Sequence, residues 1–172
     1  KLALLNLKEQ FPFSKINLVF GCGGDRDFKK RPIMGRIADK YSDKIYLTDD
    51  NPRYEEPLKI RKEIKNVINK NKVHEISNRK IAIQEAIKNL ETGDILLVAG
   101  KGHEKIQDYG KKKLFFSDKT EILNSIKIKN KSLSKDFKLN IIREQSKSKI
   151  SNKLVIKDIS INSRTIKKDD IF

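Results

Sequence analysis

Three short stretches hold the residues whose types and spacing can do chemistry: Gly21-Cys22-Gly23-Gly24-Asp25-Arg26-Asp27, Asp49-Asp50-Asn51-Pro52-Arg53 and Gly100-Lys101-Gly102-His103-Glu104. Each sets acids beside bases, and two of them place glycines ahead of the charges. An arginine presents a planar fork that matches a carboxylate, and Asp or Glu accepts from an ammonium group. Two arginines and at least two acids within reach of one another describe a pocket for a zwitterionic amino acid. His103 can titrate or hydrogen-bond, but the only other histidine is His74 and no metal-ligand set is present. No residue is assigned a catalytic role.

For these loops to converge, the segments between them must bring them to one edge of a sheet. Ile16 to Phe20, Lys44 to Thr48, Val73 to Ile76 and Asp94 to Ala99 read as strands. The first and last are too apolar to have a wet face, which fits a parallel sheet covered on both sides. Helices are expected over residues 1–11, from Pro32 to near Tyr41, over 56–69 and from Asn78 to Leu90. Their inward stripes are Ile33, Met34, Ile37 and Ala38, then Leu58, Ile60, Ile64, Val67 and Ile68, then Ile81, Ile83, Ala86, Ile87 and Leu90. Lys105 to Tyr109 and Lys113 to Phe116 read as a hairpin adding an antiparallel edge, and Asp118 as the cap of a last helix through Ile126. The fold class is therefore α/β: a Rossmann-like open, mostly parallel sheet with helices on both faces and an edge hairpin. Such sheets bind ligands at the carboxyl ends of their strands, where all three loops fall.

Two other functions compete for the same residues. Gly21-x-Gly23 after a strand resembles the start of a dinucleotide-binding fingerprint, with Asp49 or Asp50 as the ribose acid. The third glycine of that pattern falls on Arg26, whose side chain blocks the close helix packing that glycine permits. The formal charge of +16 raises nucleic acid as a partner. The excess is mostly lysine scattered among Ile and Asn, however, rather than a clustered footprint. One cysteine, Cys22, excludes an intrachain disulfide framework and fits the cytoplasm. No apolar run approaches the roughly 20 residues that cross a bilayer. No nucleic-acid or membrane partner is expected, and the chain is expected to be a monomer.

Taken together, GCGGDRD with KRPIMGRIA, DDNPR with YEEP, and VAGKGHE with FFSD resemble the C-terminal domain of the Mur ligases, over residues 1–126. The pattern is nearest to family members that add meso-diaminopimelate to UDP-N-acetylmuramoyl-L-alanyl-D-glutamate. The resemblance implies that Arg53, Asn51 and Arg26 hold the distal carboxylate and orient the amino acid, with Asp50 and Pro52 shaping the loop. It implies that the Gly100 backbone and the Glu104 carboxylate bind the amino end. Lys101 and His103 match the motif without an assigned role. The family reaction uses ATP and Mg²⁺: a glutamyl carboxylate is phosphorylated, and the diaminopimelate amine displaces phosphate. No G-x-x-x-x-G-K-[ST] loop occurs here, so ATP and Mg²⁺ are expected to be bound mainly by a central domain preceding Lys1, and the piece alone is expected to be inactive.

Residues 127–137 are polar and charged and read as a linker. Leu139 to Glu144 reads as a short helix and Leu154 to Ile161 as a strand. Val155 to Thr165, with Asp170-Ile171-Phe172, resembles the UDP-substrate-binding domain that opens a Mur ligase, with Ser163 at its substrate site and Asn162 where Asp is usual. Residues 138–172 are thus expected to begin a second ligase, of the D-Ala-D-Ala-adding type, making the whole a fusion.

Overall fold

The computed structural model describes residues 1–144, with side chains to 134, and two short strands at 158–159 and 170–171. Four strands form a parallel sheet: β1 Ile16–Phe20, β2 Lys44–Leu47, β3 Val73–Glu75 and β4 Ile95–Val98, in the order β3-β2-β1-β4. Leu18 pairs with Ile45 on one side and Leu97 on the other. Because β1 leads to β2 on one flank and is met by β4 on the other, the strand order reverses beside β1. A crevice opens at such a reversal, at the carboxyl edge.

Every residue of β1 is buried, as expected of a strand with no wet face. Leu18 and Phe20 face one layer of helices, formed by α1 Leu2–Gln10, α2 Lys30–Tyr41 and α3 Pro57–Lys65. Val19 faces the other, where α4 Arg79–Lys88 and α5, which begins at Asp118, pack through Ala82, Ile83, Ala86, Ile87, Ile122 and Ile126. The helical stripes are shorter than their periodicity predicts. Ile33, Leu58 and Ile81 are exposed, whereas Arg31, Arg61 and Arg79 are buried in the N-terminal halves of the same three helices or at their midpoint.

The hairpin forms as β5 Ile106–Tyr109 and β6 Lys112–Phe115, with Ile106 opposite Phe115. It does not extend the parallel sheet as an edge but stands as a separate two-stranded sheet. Its anchors are individual bonds to the loop after β2: Arg53 N–H donates to Asp108 O (2.9 Å), Asp108 N–H to Asn51 Oδ1 (2.9 Å) and the Gln107 side-chain amide to Asp49 O (3.2 Å). Loop partners replace a strand ladder, because the strand-end loops stand between the hairpin and the sheet.

Two further expectations are corrected at α5. The cap is Ser117, whose hydroxyl accepts from Thr120 N–H at 3.4 Å, and Asp118 turns inward to Arg79 instead. The segment expected as a linker, 127–137, is helical, and α5 continues through the separately expected helix to Glu144. Residues 119–144 contain no proline or glycine, so polarity alone does not break the helix. Most of the strand expected at Leu154 to Ile161 lies outside the described residues, as does Ser163. Asp158–Ile159 is described as pairing in parallel with Asp170–Ile171.

Candidate functional site

All three charged loops meet at the carboxyl edge of the parallel sheet. The loop after β1 packs on the loop after β2: Gly24 N–H donates to Asn51 O (2.8 Å), and Arg53 Nη1 donates to Gly24 O (2.6 Å). A Cβ on Gly21 would overlap the Thr48 carbonyl, and one on Gly24 would overlap that of Pro52. These glycines let two backbones touch. They do not open a cradle for a pyrophosphate, and α2 starts only at Lys30, so the helix N-terminus that a dinucleotide needs is displaced from the glycines.

Arg26 and Arg53 lie beside the remaining glycine of this loop, Gly23. A Cβ on Gly23 would lie 2.9 Å from Arg53 Nη1 and 3.8 Å from Arg26 Cγ. Arg26 is exposed and Arg53 half-buried, and both side chains pass beside Gly23. Asp25 (φ 50°) and Arg53 (φ 52°) both adopt left-handed backbone that side chains seldom take. Such strain persists only where surroundings over-determine it. Here Glu55 accepts from Asp25 N–H (2.6 Å) and takes a two-pronged ion pair from Arg31 Nη2 (2.8 and 2.9 Å), and Tyr54 N–H donates to Asp25 Oδ2 (3.3 Å). Arg31 is fully buried and also reaches Glu63 at 2.9 Å.

Across the strand ends, Asn51 Nδ2 donates to Glu104 Oε2 (2.8 Å), joining the loops after β2 and β4. The Lys101 ammonium donates to Asn51 Oδ1 (2.8 Å), Ile106 O (2.6 Å) and Glu104 Oε2 (3.4 Å), and lies 3.8 Å from Asp50 Oδ1. Its hydrogen bond from Asn51 outweighs partial burial, and with Lys101 and Arg53 nearby it holds the Glu104 carboxyl below its ordinary range. Burial pushes the Asp50 carboxyl up, restrained by the charges of Arg79 and Lys101. Gly100 (φ 120°) sits against Asp50, where a Cβ would come within 2.9 Å of Oδ2. Pro52 is buried under the first loop, and His103 is exposed.

Behind these lie buried arginines that the sequence reading did not single out. Arg79 binds Asp118 through Nε (2.8 Å) and Nη2 (2.7 Å) and also donates to Ala99 O (3.0 Å), just before Gly100. Arg61 pairs with Asp49 and with Glu75 (3.0 Å), and Tyr109 Oη donates to Asp49 at 3.3 Å. Burial, with Asp49 beside it, raises the Tyr109 phenol to about 12. An apolar cleft of about 170 Å³ lies below the loops at the strand reversal, lined by Leu18, Phe20, Gly21, Met34, Leu97 and Gly100 among others.

The family model "Mur ligase, glutamate ligase domain" matches residues 1–102. The chain belongs to this family. Similar curated proteins include UDP-N-acetylmuramoyl-L-alanyl-D-glutamate--2,6-diaminopimelate ligases. That of Rickettsia rickettsii is 54% identical over 115 residues, covering 67% of this chain and 24% of that protein. That of Rickettsia typhi is 43% identical over 155 residues, covering 90% of this chain and 30% of that protein. A solved structure of a ligase with the same name superposes with a TM-score of 0.70 at 37% identity, over 75% of this chain and 27% of that one. The chain thus spans about a quarter of the length of the relatives it matches. As a Mur ligase domain it has the expected α/β sheet, and the three motif loops of the resemblance form one contiguous surface.

Proposed function

We propose that this Mur ligase domain binds meso-diaminopimelate for a ligase that joins it to UDP-N-acetylmuramoyl-L-alanyl-D-glutamate in peptidoglycan synthesis. The observation that carries the reading is that Arg26 and Arg53 both lie beside Gly23, on loops bonded to each other and to the Asn51–Lys101–Glu104 network. Two guanidinium forks suit the distal carboxylate of the amino acid, and Glu104 with the Gly100 backbone suits its amino end. Asp50 and Pro52 fix the loop that carries Asn51 and Arg53. The relatives that bear the diaminopimelate-ligase name, at around half identity, support the same substrate.

The family reaction draws on ATP and Mg²⁺ to activate the glutamyl carboxylate as an acyl phosphate. Among the described residues there is no cluster of three or more His, Cys, Asp or Glu placed to hold a metal ion, and the sequence has no G-x-x-x-x-G-K-[ST] loop. We assign ATP and Mg²⁺ mainly to a central domain of the same protein. What this chain supplies is binding and orientation of the nucleophile. Holding the amine at one end and the carboxylate at the other turns a bimolecular attack into one with a fixed approach. No described helix is long and apolar enough to cross a membrane. The single cysteine, Cys22, suits a reducing compartment, and we place the reaction in the cytoplasm, with a monomeric enzyme as the proposed form.

The test is steady-state kinetics of the full-length protein with meso-diaminopimelate and lysine. Wild type should prefer meso-diaminopimelate, and Arg53→Ala should lower its kcat/KM by about a hundredfold, the loss of a charge-assisted pair, while erasing the preference. Equal use of lysine by the wild type would refute the assignment.

A further inference from the structure

Lys101, the fully enclosed cation of that network, makes no contact with the substrate in the scheme above. We propose that Lys101 is a positioning residue for amino-acid recognition: its ammonium fixes the polarity of the Asn51 carboxamide and, with it, aims Glu104 at the amino group of the substrate. The proposal rests on the reading of this surface as the diaminopimelate site.

The Lys101 side chain is 0% exposed. An ammonium has three donors and no acceptor, and here they meet acceptors from three places: Asn51 after β2, Ile106 at the start of β5, and Glu104 of its own loop. The carboxamide of Asn51 has one accepting and one donating end. Its oxygen faces two donors, Lys101 Nζ at 2.8 Å and Asp108 N–H at 2.9 Å. Turned over, the amide would set its NH₂ against both. With Lys101 in place, the NH₂ has one direction left, to Glu104 Oε2 at 2.8 Å.

Both described bonds to Glu104 fall on Oε2, from Asn51 and Lys101. The side chain is 50% exposed, which leaves Oε1 on the solvent side as the acceptor for an incoming ammonium. The charged groups facing Glu104 are Lys101 on its own loop and Arg53 on the loop after β2, with Asp50 on the far side of Lys101. Without Lys101, Glu104 loses one of the two cations that keep it ionised, and Asp50 loses one of two as well. A lysine that merely tethers the hairpin through Ile106 O would, when removed, lower stability and weaken all substrates alike, with no selective rise in the KM for meso-diaminopimelate.

The experiment compares the full-length ligase with Lys101→Met, which removes donor and charge, and Lys101→Gln, which keeps a donor and removes only the charge. Phosphate release is followed against each substrate and against pH, with melting curves in parallel. The expected result for Lys101→Met is a KM for meso-diaminopimelate raised about tenfold or more, the loss of one charge-assisted bond, with the KM for ATP within about twofold. Lys101→Gln should retain more affinity than Lys101→Met. In both, the acid limb of kcat/KM for meso-diaminopimelate should move to higher pH. An unmoved acid limb in Lys101→Gln, or losses spread equally over all substrates and tracking the melting temperature, would overturn the proposal. A wild type without diaminopimelate-dependent phosphate release would refute the substrate reading itself, and that result is distinct from an active wild type whose variants are unchanged.

Discussion

Glu55 stands one bond behind both arginines that border the candidate site. It holds Asp25, the neighbour of Arg26, by its backbone N–H, and it follows Arg53 by two positions, so the two strained loops are fixed to each other through one carboxylate and the buried Arg31. Burial raises its carboxyl, but the Arg31 and Asp25 hydrogen bonds outweigh that and leave it below its ordinary range of 4.5. A carboxylate depressed on folding stabilises the fold above its unfolded value, and the contribution is lost as pH falls through the folded one. Glu55→Gln should therefore lower stability by about 1–3 kcal/mol at neutral pH, the loss of charge-assisted bonds. Chemical denaturation of wild type and variant at a series of pH values should show the gap closing only below about 4.5, a glutamate's ordinary value.

At the scale of elements, the sequence showed the strands and the loops more clearly than the faces of the helices. Ile16 to Phe20 and Asp94 to Ala99 have no polar alternation to mislead, and glycines followed at once by charges mark where such strands end. The helices α2, α3 and α4 were harder because each enters from the carboxyl edge, where the loop carboxylates gather. One arginine of each pairs with Glu55, Asp49 or Asp118, so a buried arginine takes up space that apolar periodicity gives to residues such as Ile33, Leu58 or Ile81. In one dimension Arg31, Arg61 and Arg79 look like solvated charges, because their partners come from other elements. Asp118, too, has a side chain suited to capping, and only the neighbouring α4 turns it inward.

The α4–α5 junction tests this view. Asp118→Ala strands the fully buried Arg79 and should cost about 3–5 kcal/mol, the range for a broken buried pair. The double variant Arg79→Met with Asp118→Leu replaces both charges by apolar volume and should recover much of that loss. Urea midpoints of the two variants measure the difference, and equal losses would show that the pair is not coupled.

Over the whole molecule, a formal charge of +16 coexists with a core of arginine–carboxylate pairs. The two respond to salt in opposite degrees. Exposed lysines repel one another across solvent and are screened within about 10 Å at 0.1 M salt. The buried pairs are shielded from ions by the protein around them. Raising sodium chloride from about 0.01 to 0.2 M should therefore raise the melting temperature, since repulsion is relieved while the internal pairs keep their strength. A falling melting temperature would mean that surface ion pairs, such as Lys8–Asp43 at 3.1 Å, dominate instead.

The parallel sheet has a second edge that the chemistry leaves alone. At the amino ends of the strands the chain turns through Thr92 and Gly93, where a side chain on Gly93 would meet nothing within 4 Å, although its φ of 88° favours glycine. A molecule built this way keeps the turns at one edge of its sheet apart from the charged loops at the other. Lengthening or decorating the turn ahead of β4 leaves the charged loop at the far end of the same strand untouched. For an experimenter that turn is a natural handle, a place to attach a reporter that travels with the domain without entering its pocket.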